Sequence, residues 1–280
     1  RGEFEEAEAQ FRIGPEFLAA QGRSPVSAIV NLQMLGEEGW HAAMKEEAEL
    51  FARVCEVSKK SGLPLSAKLP GALKGLRAWE NSVKFVVEYQ RERVQRFGMD
   101  YYGSSYGATW FQSWLTVGKN SLMQAVLHGK KVSREEAPLV FVSGSGLGEH
   151  CLFAAAMGAR CIGYELVCDS MVGKSRKLFK KHGLSKWITL RCADVLEAEG
   201  LDRVSMVWLN NFVWTADLRR KQWRHLATNL RQGVIVASAQ SDDQLILSEE
   251  QDIDDFALVA NEVAAFSWSQ QQTINIYQKL

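Results

Sequence analysis

The chain has 280 residues, of which 46% are hydrophobic and 24% charged, and its 33 Lys and Arg balance 33 Asp and Glu. This is the composition of a globular protein large enough to bury its own core, and it excludes a disordered tail, a collagen and a disulfide-held miniprotein. Zero net charge argues against nucleic-acid binding through overall charge, though not through a local patch, and with no run of about 18 apolar residues no membrane-spanning helix is expected.

The first hundred residues read as helices. Trp40, Met44, Ala48, Phe51, Val54 and Cys55 recur at helical spacing between Gly39 and Gly62. The two prolines and two glycines of Leu63–Gly75 predict a loop. Trp79, Val83, Val86, Val87, Val94 and Phe97 then form a second apolar face that stops at Gly98. These stripes predict a helical N-terminal domain over residues 5–100 with a core-facing surface. Tyr101–Gly107 is a Tyr/Ser/Gly loop by composition, and Trp110–His128 is again helical.

From Leu139 the texture alternates. Apolar runs at Leu139–Ser143, Arg160–Glu165, Trp187–Cys192, Val204–Leu209 and Gly233–Ala239 read as strands. Helical stretches at Glu149–Met157, Ser170–His182 and Ala216–Leu230 lie between them. Such alternation predicts a doubly wound α/β domain with a mostly parallel sheet. Phe256–Trp268 and Thr273–Leu280 predict a closing antiparallel hairpin, with its turn at Ser269–Gln272. The second domain thus runs over 101–280.

Cys55, Cys151, Cys161, Cys168 and Cys192 form no C-x-x-C pair, so free thiols in a reducing compartment are expected. The histidines are scattered without H-x-x-x-H or H-E-x-x-H spacing, which predicts no zinc site. No secretory leader pattern opens the chain.

The chemistry concentrates at strand ends. Gly144-Ser145-Gly146-Leu147-Gly148 follows the first strand and opens a helix. Glycines there let the backbone approach a ligand and aim helix N–H groups at it. The spacing is G-x-G-x-G, without the pyrophosphate spacing of dinucleotide binders, which favours S-adenosylmethionine over NAD. Glu165 ends the second strand, where a carboxylate can accept both hydroxyls of a ribose. Asp194, just past the third strand, can accept from an adenine amino group while Val195 packs on the ring. Each alone also reads as an ordinary turn, strand end or cap; together, on three successive strands, they describe an adenosine pocket.

The fourth strand runs into Asn210-Asn211-Phe212-Val213-Trp214. This motif resembles that of the disruptor-of-telomeric-silencing family, the histone lysine methyltransferases that lack a SET domain. The glycine loop resembles the family's Gly-Ser-Gly-Val-Gly. Tyr106-Gly107-Ala108-Thr109 resembles its Tyr-Gly-Glu-Thr loop, and Ser267-Trp268 a Ser-Trp pair at its last hairpin. The resemblance spans roughly Tyr101 to Leu280. It implies a class I methyltransferase-type sheet and S-adenosyl-L-methionine as cofactor. Tyr106, Gly107, Thr109, Ser143, Gly144, Gly146, Gly148, Glu149, Glu165, Asp194, Val195 and Asn210 would hold that cofactor. Asn210 would also sit beside the transferred methyl, and Phe212, Trp214 and Trp268 would line a lysine channel. It further implies a nuclear protein acting on the globular core of a histone of the H-three type on nucleosomes. The basic runs Lys174–Lys186 and Arg219–Arg224 are candidates for nucleosomal DNA contacts.

The sequence also departs from the family. Its aspartate before the glycine loop is Val142 or Ser143 here, its loop glutamate is Ala108, and the glutamine after the glycine loop is Glu149. Its channel tyrosine falls near Asn275 or Tyr277. These departures keep two other expectations open: a class I methyltransferase acting on RNA or a small molecule, and a non-catalytic nucleosome- or adenosine-binding module.

Overall fold

The computed structural model describes residues 137–211, 214–239, 255–266 and 269–280, together with Lys45, Glu49, Lys74, Gly75, Ala78, Trp114 and Val117. The helical domain expected over 5–100 therefore lies outside the described residues, apart from five helical positions. Two of those, Lys74 and Gly75, correct the sequence reading, which ended a loop at Gly75. A Cβ on Gly75 would touch Leu152 and Leu184 at 3.0 and 3.1 Å, so close packing on the domain behind it explains the glycine.

The described part is the doubly wound, mostly parallel sheet expected from the alternation, closed by an antiparallel hairpin. Its elements are β1 (Leu139–Ser143), α1 (Glu149–Ala156), β2 (Arg160–Glu165), α2 (Lys174–Lys181), β3 (Ile188–Cys192), β4 (Met206–Leu209), α3 (Ala216–Asn229), β5 (Ile235–Ser238), β6 (Phe256–Phe266) and β7 (Ser269–Lys279). The strand order is β3-β2-β1-β4-β5-β7-β6. The first five strands are parallel, and β7 runs antiparallel between β5 and β6. The expected turn Ser269–Gln272 is strand instead: β7 already begins at Ser269, which pairs with Phe266 of β6. β5 pairs only with Asn275–Gln278, so Ser269 and Gln272 pair with β6, while the Gln272 side chain donates to the Ala239 carbonyl just past β5.

Strand order and crossover hand decide where the helices go. Parallel connections are right-handed, so reversing direction at the β1/β4 boundary sends α1 and α3 to opposite faces. Strand alternation divides the core accordingly. Phe141, Val207, Leu209 and Val236 face α3 and pack with Trp223, Leu226, Phe256 and Tyr277. Trp208, one residue off that register, faces the other way, stacked on Trp114 at 4.6 Å and tilted against His150 at 4.8 Å. Truncating an indole buried to this degree costs about 3–5 kcal/mol.

Four of the five cysteines correct the expectation of free thiols. Cys151 pairs with Cys161 and Cys168 with Cys192, each with Cα atoms 5.2 Å apart, within disulfide reach. Linear spacing does not reveal these pairs, because α1 packing on β2, and β2 pairing with β3, bring together residues that no short motif connects. Cys55 lies outside the described residues.

Candidate functional site

The open sheet puts its crevice at the carboxyl ends of the strands, where strand order reverses. That point lies between β1 and β4. The glycine loop leaves β1 and Asn210 leaves β4, so the topology alone sets them side by side.

Their contact is tight. Asn210 Nδ2 donates to the carbonyl of Gly144 at 2.9 Å, and the Asn210 amide donates to Ser143 O at 3.0 Å. Gly144 has φ +66°, and a Cβ there would stand 2.5 Å from the carbonyl oxygen of Asn210. Only glycine fits. Gly146 and Gly148 are also left-handed, with φ 52° and 82°. Gly148 caps α1 without a side chain, so the first N–H groups of the helix border the loop. Ser145 turns inward, with its Oγ 2.8 Å from where a Cβ on Gly163 would lie, so it belongs to the packing beneath the loop.

Glu165 at the end of β2 is clamped by backbone. Its Oε2 accepts from the Gly146 amide and its Oε1 from the Val167 amide, both at 3.0 Å. Each carboxylate oxygen keeps a second lone pair, so the half-buried group has acceptors to spare for a diol. The same clamp ties the second strand to the glycine loop. Asp194 is the N-cap of the turn Val195–Glu197, its Oδ1 accepting from Leu196 N at 2.9 Å. The ordinary capping role is thus present, and the second carboxylate oxygen is outside that bond. Val195 is buried and joins the core cluster on the α3 face.

Sequence alone does not single out Leu166. It lies between Glu165 and the clamping Val167 and is 65% exposed. Its exposure leaves an apolar side chain beside the carboxylate clamp. The signal available was its position, one residue past the strand-end acid.

Behind the rim is a buried polar relay. Asn211 Nδ2 donates to Gln222 Oε1 at 2.7 Å, and Gln222 Nε2 donates to Ser143 Oγ. It joins the residue before the glycine loop, the residue after Asn210, and α3. Ser143, expected at the cofactor, is fully buried and committed to this relay. Glu149, the first residue of α1, is also fully buried, with Oε1 4.0 Å from His150 Nε2. His150 accepts from Trp114 Nε1 at 2.8 Å through Nδ1, and burial pushes its pKa down to about 3. It is therefore neutral with its proton on Nε2, facing Glu149.

Trp214 is half-buried and packs against the α3-side core. Its carbonyl accepts from Arg219 Nη1 at 3.3 Å. Tyr106, Gly107, Thr109, Phe212 and Trp268 lie outside the described residues. Of the two channel-tyrosine positions, Tyr277 is spent in the core, edge-on to Trp223. Asn275 lies level with Ser238 at the carboxyl end of β5, on the crevice side of the sheet.

The basic runs differ. Lys177, Lys180, Lys181 and Lys186 are exposed, and Arg176, also exposed, donates to the Leu190 carbonyl. His182 is held below its ordinary value by burial and by the charges of Lys181 and Lys74, which places another cation at this face. In the second run Arg219 is buried, and Lys221, exposed on the helix surface, pairs with Asp217 at 2.9 Å.

No protein-family model matches the chain, and no curated protein matches it. Similar solved structures include an RNA methyltransferase from Salinibacter ruber in complex with S-adenosyl-L-homocysteine. It is 21% identical, with 57% of this chain and 91% of that one covered and a TM-score of 0.39. TrmN from Thermus thermophilus is 20% identical over 56% of this chain with a TM-score of 0.42, and the chain spans about half of its length (48%). A magnesium protoporphyrin IX methyltransferase from Synechocystis PCC 6803 with bound S-adenosylmethionine is 14% identical. It covers 70% of this chain and 97% of its own, with a TM-score of 0.44.

Proposed function

We propose that the chain is a class I methyltransferase that uses S-adenosyl-L-methionine to methylate a lysine in the globular core of histone H-three on nucleosomes. The observation that carries the cofactor half is the joint clamp at the strand ends. One glycine loop is hydrogen-bonded both to Asn210 across the switch point and to the Glu165 carboxylate. That arrangement suits a nucleoside whose ribose meets Glu165, whose base lies over Leu166 beside Asp194 and Val195, and whose tail follows Gly144–Gly148 toward Asn210. The cofactor brings a sulfonium-activated methyl group.

The chain's own task is then to orient and to exclude water. A lysine with a pKa of about 10.4 is roughly 0.4% neutral at pH 8, a deficit of about 3.3 kcal/mol. A dry aromatic approach lowers that cost by disfavouring the ammonium form. By the resemblance, Phe212, Trp214 and Trp268 would supply the indole and phenyl surface for such an approach. Alignment of nitrogen with methyl supplies much of the remaining acceleration, so no strong base is needed. The lysine reading rests on the Asn210-Asn211-Phe212-x-Trp214 motif and its resemblance. Nuclear placement and DNA contact through Lys177, Lys180, Lys181 and Lys186 belong to the same proposal.

A second reading, methylation of RNA, is favoured by that same exposed lysine face, which suits any phosphate backbone. One experiment separates them. The protein is incubated with labelled cofactor and recombinant nucleosomes, RNA or metabolite extract, and modified positions are located by mass spectrometry. Label on histone lysine supports the proposal, label only on RNA or a small molecule replaces it, and tight cofactor binding with no label anywhere leaves a binding module.

A further inference from the structure

We propose that Cys168 and Cys192 are a reversible thiol–disulfide pair whose state sets how tightly the crevice holds its nucleoside; the second half rests on the reading above.

The two cysteine pairs have opposite surroundings. Cys151 and Cys161 are sealed between α1 and β2, at 0% and 1% exposure. Exchange needs a thiolate to reach a sulfur, so that pair is inert. Cys192 is exposed and Cys168 half-buried, on the rim of the sheet. Both states have a place there. The sulfurs meet across a Cα separation of 5.2 Å, and as a thiol Cys168 can donate to the Leu166 carbonyl, 3.2 Å from its Sγ.

The position is what gives the pair a consequence. Cys192 is the β-sheet partner of Glu165. Cys168 follows Val167, whose amide holds Glu165 Oε1. Asp194 lies just beyond Cys192. Joining 168 to 192 therefore closes the segment Glu165–Cys168 onto the end of β3 and fixes Glu165, Leu166 and the loop to Asp194 together. A site ordered in advance loses less freedom when a ligand arrives. Reduction releases the Leu166–Val167 segment and weakens the grip.

The redox step balances with a small-molecule disulfide such as oxidised glutathione. One cysteine thiolate attacks it, forms a mixed disulfide and releases one glutathione thiolate. The other cysteine displaces the second glutathione. The protein loses two electrons and two protons, and one glutathione disulfide becomes two thiols.

The test uses the whole chain in glutathione buffers of graded poise. Alkylation with mass spectrometry reads the Cys168–Cys192 pair, and calorimetry with S-adenosylhomocysteine reads affinity in each state. The expected result is about tenfold tighter binding when oxidised, within the usual range of coupling between sites. By reciprocity, saturating nucleoside lowers the midpoint of the pair by about 30 mV, the equivalent of tenfold for a two-electron couple. Cys168→Ser and Cys192→Ser should each bind like the reduced protein and ignore the buffer. A pair that never forms, equal affinity in both states, or a redox response surviving in both variants overturns the proposal. Binding absent in both states while the pair still cycles removes the cofactor reading and the coupling with it.

Discussion

Asn210 and Gly144, which follow β4 and β1, are joined by a 2.9 Å hydrogen bond and packed so closely that no side chain fits at residue 144. The contact makes the glycine loop and the β4 end a single rigid unit. It also turns a conformational requirement into a measurable one.

Gly144→Ala should disable the site. The added methyl meets a backbone oxygen at 2.5 Å and the residue is held at φ +66°, so loop or strand must shift. Left-handed backbone strain alone costs about 1–3 kcal/mol. Gly183→Ala is the control, because its φ is +71° but nothing lies within 4 Å of its Cβ. Both variants should lose thermal stability, but only Gly144→Ala should weaken S-adenosylhomocysteine by tenfold or more in calorimetry. Equal affinities would show that the loop does not touch the ligand.

Glu165→Gln should be no milder than Glu165→Ala. The carboxylate accepts from two amides at once. A glutamine offers one oxygen and turns an NH2 group toward the other amide. Each lost charge-assisted bond is worth about 1.5–3 kcal/mol, so nucleoside affinity should fall roughly 10- to 100-fold in both variants. An exposed strand-end glutamate with no ligand role would leave affinity unchanged.

The sheet was legible because it is written in short apolar runs punctuated by glycine. β1, β2 and the start of α3 fall where the sequence puts them. The strand-end positions of Glu165, Asp194 and Asn210 followed from that alone. What the sequence hid depends on contacts between elements. Gln222 reads as one polar residue on a helix, and only packing against β1 and β4 shows it bridging Ser143 and Asn211. His150 reads as a helix-start histidine, and only Trp114 reveals its buried acceptor. The hairpin turn was misplaced because β7 extends past its β5 partner, where polar residues are as acceptable as apolar ones. Leu166 carries no signal in the sequence because exposure of an apolar residue cannot be read from its neighbours in the chain.

Gln222→Leu tests the relay. Leucine nearly preserves volume but strands Asn211 Nδ2 and Ser143 Oγ, both buried. Stranding a buried polar group costs about 1–3 kcal/mol, so the variant should lose about 2–4 kcal/mol in denaturant unfolding. Because the relay backs both Gly144 and Asn210, turnover should fall more than the affinity for S-adenosylhomocysteine. An unchanged midpoint would mean the three groups find other partners.

His150 should make the protein acid-sensitive in a defined window. Burial holds its pKa near 3, against an ordinary 6.5. The folded state therefore refuses a proton that the unfolded chain accepts. Stability is full above about pH 6.5 and drains away as pH falls toward about 3, with a slope of at most about 1.4 kcal/mol per pH unit. Carboxylates also titrate in the lower part of that range, so the diagnostic is a difference. His150→Gln keeps an acceptor for Trp114 but cannot be protonated. Its unfolding free energy, lower than wild type at pH 7.5, should converge on the wild-type value between pH 6.5 and 4.5. Parallel curves would mean that His150 is protonated without penalty, and that the Trp114–His150–Glu149 contact beneath the glycine loop is looser than its 2.8 Å bond implies.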